Sequence, residues 1–394
     1  MPNYLESTSD ILFSDIKSSS YSPRTWPAGL MTTSMTALPD QETGQIKMLH
    51  VHIVRFLESS GVAIFISGSH GVTDATGFYS FINHWASETR ALLTGVPAPE
   101  ISVCFDREVL VGGSADARAE VDNLLRVITM TPSPEAISMA SLSPVERNKT
   151  IHASTPTVDR QGCFYRIGHD RLEYLRDRMQ KCTVDGTRVS INDVLSALIA
   201  KTVSQAQFAN MAEPLSSLTK PSDRAHLHYV AIACDCRHRL GISDMNFIGN
   251  VQYIPMTTNP IKMIIQATTF ETLVKVAVSI RHAVDRVQAP QIRAYFDMTK
   301  QHPGLFMCPA IMVPKYGLRT TISNQSRFGL YDIDFGHGAA DFVTSRPTRF
   351  TDIVSILPAR PPSRDVYVSI TDTPAVLESI RSNKFWRRFA DFVY

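Results

Sequence analysis

Between residues 48 and 93 the spacing of the apolar residues changes, and this change limits the folds that the chain can adopt. MLHVHIVRFL (48–57) alternates apolar and polar residues, GVAIFISGSH (61–70) is a second apolar run, and the turn sequence ESSG lies between them. Two such runs around a short turn predict a β-hairpin. From Phe78 to Leu92 the apolar residues recur at helical spacing, which predicts a helix from about residue 75 to 93.

The turn between this hairpin and the helix contains the strongest candidates for functional residues. Counting by twos back from His70 gives Gly68, Ile66 and Ile64, so we expect His70 to leave its strand on the apolar, core-facing side. Thr73 and Asp74 are good N-cap residues for the helix.

Strand-like and helical segments alternate irregularly along the rest of the chain. Strands are predicted for CFYRIG, HLHYVAIACDC, CPAIMVPKYG, LRTTISNQS, YDIDF and DVYVSIT, and helices for residues 170–182, 190–207, 269–298 and 373–392. Residues 1–45 favour a loop with one short helix. This mixture predicts a mixed α/β (α+β) fold rather than a regular βαβ array, and the Pro- and Ser-rich stretch 131–157 predicts an interdomain linker.

Composition and charge exclude several classes of protein. The 394 residues, with 39 basic and 37 acidic side chains, contain no basic block, so a nucleic-acid partner is not expected. The N-terminus lacks a secretory pattern and no apolar run reaches the roughly 18 residues of a membrane span, so we expect a cytoplasmic protein without membrane contact. The six cysteines are expected to be reduced core thiols, and no metal site is predicted.

His70 and Asp74 form an HxxxD pattern that fits general base catalysis. An imidazole with a pKa near 6.5 is neutral at pH 7 and can accept a proton. Asp74 can either hold the turn, by pairing with an arginine that points away from the imidazole, or orient the ring as in a catalytic triad. The histidines at positions 50, 52, 282 and 337 are weaker candidates, and no GxSxG or P-loop motif is present. Direct attack by an activated substrate is therefore favoured over a covalent enzyme intermediate.

Six motifs in order along residues 25–390 resemble those of the BAHD acyltransferases, especially the fungal members, whose fold is that of chloramphenicol acetyltransferase. These motifs are His70-Gly-Val-Thr-Asp74, the helix sequence FINHWA, VCFDREVL, VSINDVLSAL, Asp235-Cys-Arg237 with Phe247-Ile-Gly249-Asn250, and Tyr331-Asp-Ile-Asp334-Phe335-Gly336-His337-Gly338.

The resemblance implies two similar domains, each a mixed sheet flanked by helices, with a channel between them. The domains would cover residues 1–130 and 161–394, joined by a crossover linker at 131–160, and residues 331–358 would return to the first domain. His70 would lie in the channel and take a proton from a substrate hydroxyl that attacks an acyl-CoA thioester, most simply acetyl-CoA. A monomer that needs no metal is expected.

The resemblance also implies roles for other residues. Asp74, Arg237, Asp334 and Gly336 would support the site structurally. The substrate-binding candidates are Asn250, Ser323, Gln325 and His337.

The sequence departs from the family pattern in four places. Ala75 stands where glycine is frequent, His337 replaces the tryptophan of DFGWG, and Gln325 replaces a tryptophan in ISNQS. His70 also comes roughly 80 residues earlier than is usual, so the opening strand and helices of the first domain are expected to be absent.

Three hypotheses follow from these observations. The first is an acyl-CoA-dependent transfer to a hydroxyl of a small secondary metabolite. The second is a repurposed enzyme that uses His70 without CoA, for cyclisation, dehydration, epimerisation or a pericyclic step. The third is a binding protein that retains the fold without catalysis.

Overall fold

The computed structural model describes residues 3–22, 25–26, 45, 47–119, 142–143, 145–146, 160–211, 227–301, 318–345 and 353–394. Its strands are β1 (Asn3–Thr8), β2 (Leu49–Arg55), β3 (Val62–Gly68), β4 (Gln161–Ile167), β5 (Leu227–Ile232), β6 (Cys234–Asp235), β7 (Gln252–Tyr253), β8 (Met256–Pro260), β9 (Leu318–Asn324), β10 (Ile353–Pro358), β11 (Val366–Asp372) and β12 (Ala390–Phe392). Its helices are α1 (Phe13–Ser18), α2 (Ala75–Thr94), α3 (His169–Gln180), α4 (Ile191–Ala209), α5 (Arg237–Leu240), α6 (Ile261–Ile265), α7 (Phe270–Asp285), α8 (Ala289–Gln301) and α9 (Pro374–Ser382).

The predicted hairpin forms the centre of a small sheet. β2 and β3 pair antiparallel from Leu49 opposite Gly68 to Arg55 opposite Val62. β1 adds to β2 as a parallel strand, so the expectation that residues 1–45 form only a loop with one short helix was wrong. The sequence NYLEST has little apolar alternation, and its pairing with β2 is a tertiary contact that a local pattern does not encode.

A second, seven-stranded sheet has the order β12-β4-β11-β10-β9-β5-β8. Residues such as Tyr165, Val230 and Val368 on one face of this sheet are buried, and they pack with apolar side chains of α3, α4, α7 and α9. α4 lies at the centre of this core and begins with a capping box between Ser190 and Asp193. This core contains most of the buried apolar side chains of the described residues.

The opposite face of the large sheet contacts the part of the chain around the small sheet through aromatic rings. Phe164 of β4 and Tyr367 of β11 are stacked with their centroids 5.0 Å apart. Phe342 packs against Phe164 at 6.0 Å and stacks on Tyr21, just after α1, at 4.3 Å. The segment around Phe342 therefore connects the two sheets.

Polar groups are also buried in the large core. His228 of β5 is fully buried, and its Nε2 lies 2.6 Å from Ser204 Oγ on α4. Lys201, one turn earlier on α4, donates to the backbone carbonyls of Met263 and Ile264. Burial lowers the pKa of Lys201 to about 8. Burial, together with the charge of Lys201, lowers the pKa of His228 to about 3.

The mixed α/β class, the hairpin, α2, α3 and α4 are confirmed, and several local predictions were wrong. The helix expected over 269–298 is two helices, α7 and α8. YDIDF is a turn rather than a strand, and the last helix ends at Ser382, after which a 3₁₀ turn and β12 follow. CPAIMVPKYG before Leu318 and nearly all of the linker lie outside the described residues.

The segment 331–358 divides between the parts of the chain that surround the two sheets. Residues 331–345 contact α1 through the ion pair of Asp341 with Lys17 and α2 through that of Asp334 with Arg90. Residues 353–358 instead form β10 inside the seven-stranded sheet. The part that returns toward the small sheet is therefore shorter than expected, because the following apolar residues complete the large sheet.

Candidate active site

His70 lies in a tight turn between β3 and α2. The strand ends at Gly68, and the backbone N–H of Val72 donates to the carbonyl of Ser69 at 3.0 Å. His70 is exposed, so its expected core-facing position was wrong: strand alternation stops two residues before it. No described residue makes a hydrogen bond with either of its ring nitrogens.

Asp74 is the N-cap of α2 and is buried, with 5% of its surface exposed. Its Oδ1 accepts from the backbone N–H of Gly77 at 2.9 Å, and its Oδ2 accepts from the N–H of Val251 at 2.8 Å. These bonds satisfy orphan donors of the helix start and of a distant loop at the same time.

Arg237 completes the shell of the Asp74 carboxylate. Its Nη1 donates to Asp74 Oδ2 at 2.9 Å and its Nη2 to Asp74 Oδ1 at 3.0 Å, a bidentate pair. The same guanidinium donates to the backbone carbonyls of Phe247 and Gly249. Burial acts to lower the pKa of Arg237, but the hydrogen bonds and charge of Asp74, with those of Asp235, outweigh it and leave that pKa raised.

This arrangement distinguishes the two roles considered for Asp74. Every contact that the described residues make with its carboxylate comes from Arg237 or from the backbone of Gly77 and Val251. The carboxylate makes no hydrogen bond with the ring of His70. The geometry therefore favours a structural role for Asp74 over a triad.

Asp235 forms a second link between the halves of the site. Its Oδ1 accepts from the backbone N–H and from Nη1 of Arg237, and its Oδ2 accepts from Thr76 Oγ1 at 2.7 Å. Thr76 lies in the first turn of α2, so residues 235–237 hold both the cap and the first turn of this helix. The sequence analysis missed Thr76, because a threonine at the start of a helix carries no distinctive signal.

Asn250, a predicted substrate contact, has a different partner. Its side-chain Nδ2 donates to the backbone carbonyl of His70 at 2.8 Å. Asn250 thus holds the turn on which His70 is mounted, and its Oδ1 is buried without a hydrogen bond from the described residues.

Ser323 and Gln325 lie at the carboxyl end of β9. Gln325 Nε2 donates to Ser323 Oγ at 3.3 Å. Next to them the N–H of Ala233, just after β5, donates to the carbonyl of Ile322 at 3.0 Å. They therefore share a sheet edge with the segment that leads to Asp235 and Arg237, because β5 and β9 are parallel.

Asp334 and Gly336 belong to a turn that packs on the far end of α2. Asp334 Oδ1 accepts from the N–H groups of Gly336 and Gly338 at 2.7 and 2.8 Å. These bonds, chiefly that of Gly336, lower the pKa of Asp334. Asp334 Oδ2 lies 3.7 Å from Arg90 Nη1, and Phe335 packs edge-on against Trp85 at 5.0 Å.

His337 lies in the same turn and is exposed. Arg90 is 15 residues beyond Ala75, or about 22 Å along the helix at 1.5 Å per residue. The turn therefore lies far from His70, and this position does not fit the expected substrate contact of His337.

The VCFDREVL segment packs against the large sheet's half of the protein. Cys104 forms a parallel bridge with Phe247. Leu110 joins the apolar cluster of Cys236, Val251 and Ile292, and Arg293 of α8 donates to the carbonyls of Val109 and Val111. The loop that carries Phe247 and Asn250 is therefore supported from both sides.

Other kinds of site were searched for in the part of the chain that the structure describes. No group of three or more His, Cys, Asp and Glu side chains there could hold a metal ion. The five described cysteines are free thiols, and burial raises the pKa of Cys236 to about 12. None of the described helices has both the length and the apolar content that crossing a bilayer requires.

Sequence comparison identifies relatives over most of the chain. The model of the Transferase family matches residues 3–385. A trichothecene 3-O-acetyltransferase of Saccharomyces cerevisiae is 22% identical over 352 residues, which are 85% of this chain and 66% of that protein. Acyltransferase easC of Emericella nidulans is 25% identical over 261 residues, 65% of this chain and 50% of that protein. The chain thus spans between half and two thirds of the length of these two relatives.

Solved structures share the fold. TRI101 of F. sporotrichioides, solved with coenzyme A and T-2, gives a TM-score of 0.68 at 16% identity, with 100% of this chain and 82% of that chain covered. Vinorine synthase gives 0.56 at 16% identity, with 95% and 74% covered. These likenesses confirm the predicted two-domain fold of the chloramphenicol acetyltransferase type.

Proposed function

The chain belongs to the Transferase family, the BAHD-type acyltransferases, and from this premise we propose that it transfers an acyl group from coenzyme A to a hydroxyl of a small secondary metabolite. Acetyl is the acyl group that we propose, because one relative is named a trichothecene 3-O-acetyltransferase. The solved structure with coenzyme A and T-2 supports a thioester and a small acceptor as the two substrates.

One observation carries the proposal for the catalytic residue. Arg237 and two backbone N–H groups occupy the Asp74 carboxylate, while the ring of His70 has no hydrogen-bonded partner among the described residues. The turn is thus held rigid without use of the imidazole. An imidazole on a fixed backbone is suited to act alone as a general base.

The reaction then needs one proton acceptor and well-placed substrates. His70 takes the proton of the acceptor hydroxyl while its oxygen attacks the thioester carbonyl. The tetrahedral intermediate collapses with loss of the CoA thiolate, which receives the proton back from the imidazolium. Ser323 and Gln325, at the shared sheet edge, are the proposed polar contacts for the substrates or the developing oxyanion. Holding both substrates in line supplies much of the rate gain.

The decisive experiment combines binding and turnover. Coenzyme A and acetyl-CoA should raise the midpoint of thermal unfolding, because a ligand that binds only the folded state stabilises it. The release of free CoA thiol should follow addition of a suitable hydroxylated acceptor. His70→Ala should lower kcat by about 10²- to 10⁴-fold, the usual contribution of a general base, with unchanged thermal unfolding.

His337→Ala is the matched control. It removes another exposed histidine, which lies far from the turn of His70, and it should retain full activity. An unchanged kcat in His70→Ala would contradict the role of His70. A thermal shift with a metabolite, but none with either thioester or CoA, would contradict acyl transfer and favour a reaction that does not use CoA.

A further inference from the structure

A surface pocket lies on the helical side of the large sheet, where α3 begins. It has a volume of about 230 Å³ and is lined by Asp170, Arg171, Tyr174, Arg388 and Phe389. The last two residues belong to the 3₁₀ turn Trp386–Arg388 and the position after it. The pocket therefore lies where the first turn of α3 meets the C-terminal turn.

This pocket is remote from His70. It lies beside the β12–β4 edge of the seven-stranded sheet, whereas the chain enters the Asp235–Arg237 segment after β5. Four strand-to-strand steps separate β4 from β5, or about 19 Å at 4.8 Å per step. The pocket is thus no part of the proposed acyl-transfer site.

Arg388 lies beside three aromatic rings and has no acidic partner among the described residues. Its guanidinium carbon lies 5.3 Å from the ring centroid of Phe385, 5.7 Å from Phe389 and 5.8 Å from Phe270. Among the described residues, no carboxylate oxygen comes within 4 Å of its nitrogens. A guanidinium beside aromatic rings, with no carboxylate partner among the described residues, can bind a carboxylate through two parallel hydrogen bonds.

Arg171, the other arginine of the pocket, does have an acidic partner. Arg171 donates to Asp391 Oδ1 at 2.9 Å and to the carbonyl of Phe389 at 3.3 Å. Its charge is therefore compensated, and Arg388 supplies the open positive charge of the pocket.

A second cation approaches the same aromatic ring as Arg388. The guanidinium carbon of Arg178 lies 5.2 Å from the centroid of the Phe270 ring that Arg388 also approaches. Hydrogen bonds from its own backbone N–H and from Thr269 lower the pKa of Glu271, and its carboxylate lies close enough to Arg178 for that charge to lower the pKa further. Arg178 therefore has an acidic neighbour, whereas no carboxylate oxygen of the described residues lies within 4 Å of the Arg388 nitrogens.

The remaining walls restrict the ligand further. Tyr174 is 50% exposed and offers aromatic surface to a flat apolar group, whereas the ring of Phe389 is buried. Asp170 contributes a negative charge to the lining, which disfavours ligands with two or more charges. The volume is below the roughly 300–1,000 Å³ of pockets for drug-sized ligands, so the ligand must be small.

We propose that this pocket is a binding site for a small monocarboxylate with a flat apolar body, such as an aromatic acid. The carboxylate would accept two hydrogen bonds from Arg388, and the apolar body would lie against the exposed ring of Tyr174. This site is independent of the proposed acyl transfer and of His70.

The test uses benzoate as the probe, with ¹H–¹³C NMR titration or calorimetry on the full chain. Benzoate should bind to a single site, and Arg388→Gln should weaken its binding at least tenfold. Arg387→Gln removes an adjacent exposed arginine that does not line the pocket, and it should bind benzoate as the parent does. Tyr174→Ala, at a half-exposed position that tolerates truncation, should also weaken binding, and His70→Ala should leave it unchanged.

Several results would overturn the assignment. These are no binding of benzoate to the parent chain, equal binding in Arg388→Gln, or an equal loss in Arg387→Gln. Inorganic phosphate should bind at least tenfold more weakly than benzoate, and equal binding of phosphate would reject the aromatic carboxylate in favour of a general anion site. Because His70→Ala separates the two sites, failure here leaves the proposed acyl transfer unaffected.

Discussion

The side-chain amide of Asn250 donates a 2.8 Å hydrogen bond to the backbone carbonyl of His70, although 180 residues separate the two in the chain. This bond positions the turn of the proposed base without using its ring. In the proposed mechanism, Asn250 is therefore a positioning residue that acts through His70 rather than by touching a substrate.

Asn250→Ala should accordingly lower kcat about tenfold while KM changes little, because the base loses its fixed position. The free energy of unfolding should fall by only about 1 kcal/mol, the net contribution of one hydrogen bond. Initial rates and urea unfolding measure the two quantities. A raised KM with an unchanged kcat would instead indicate a direct substrate contact.

The main effect of Asp74→Asn should be a lower free energy of unfolding rather than a direct loss of turnover. It leaves the Arg237 guanidinium buried without its anion, and breaking a buried pair costs about 3–5 kcal/mol. Asp235→Asn is the matched control: its side chain is 39% exposed, and the expected loss is at most about 1 kcal/mol. Urea unfolding distinguishes them, and an Asp74→Asn protein with parental stability and no turnover would refute the structural role.

Gly336→Ala should destabilise the turn that supports the far end of α2. The residue has φ of +107°, and an added Cβ would lie 2.7 Å from Leu93 Cδ1. Backbone strain of this kind costs about 1–3 kcal/mol. Gly338→Ala has a similar φ of +93° but open space around its Cβ, so thermal unfolding should show a smaller loss there. Equal losses would mean that the contact with Leu93 contributes nothing.

His228 should make the stability of the chain sensitive to acid. Its folded pKa of about 3 lies below the unfolded value of 6.5, so below pH 6.5 the unfolded chain binds a proton that the folded chain does not. The stability is complete above pH 6.5 and is lost as the pH falls toward 3, by up to roughly 5 kcal/mol over the full window. His228→Gln should flatten the urea-unfolding free energy over this range, and an unchanged slope would contradict this assignment.

Much of the local structure could be predicted because it depends on patterns within one segment. The alternation in β2 and β3, the helical spacing of α2 and the Ser190 cap of α4 are examples. Features that depend on distant partners could not be predicted. NYLEST becomes a strand only against β2, and the exposure of His70 follows from a turn that ends strand alternation at Gly68.

The sequence predicted some residues of the site but not the contacts that hold them. The HxxxD and D-x-R patterns locate His70, Asp74 and Arg237, and their proximity is visible only once the two halves are docked. The sequence does not reveal that Asn250 holds the His70 carbonyl or that Thr76 binds Asp235, because amides and hydroxyls serve equally well as solvent contacts.

The bidentate ion pair between Asp74 and Arg237 has a consequence for protein synthesis. When residues 49–94 leave the ribosome, the hairpin, its turn and α2 are complete in sequence, but the guanidinium that neutralises Asp74 is still to be translated. The nascent chain thus carries His70 in a turn that lacks these contacts, and the hydrogen bonds from Asn250 and Val251 form only when the loop at 247–251 docks beside it.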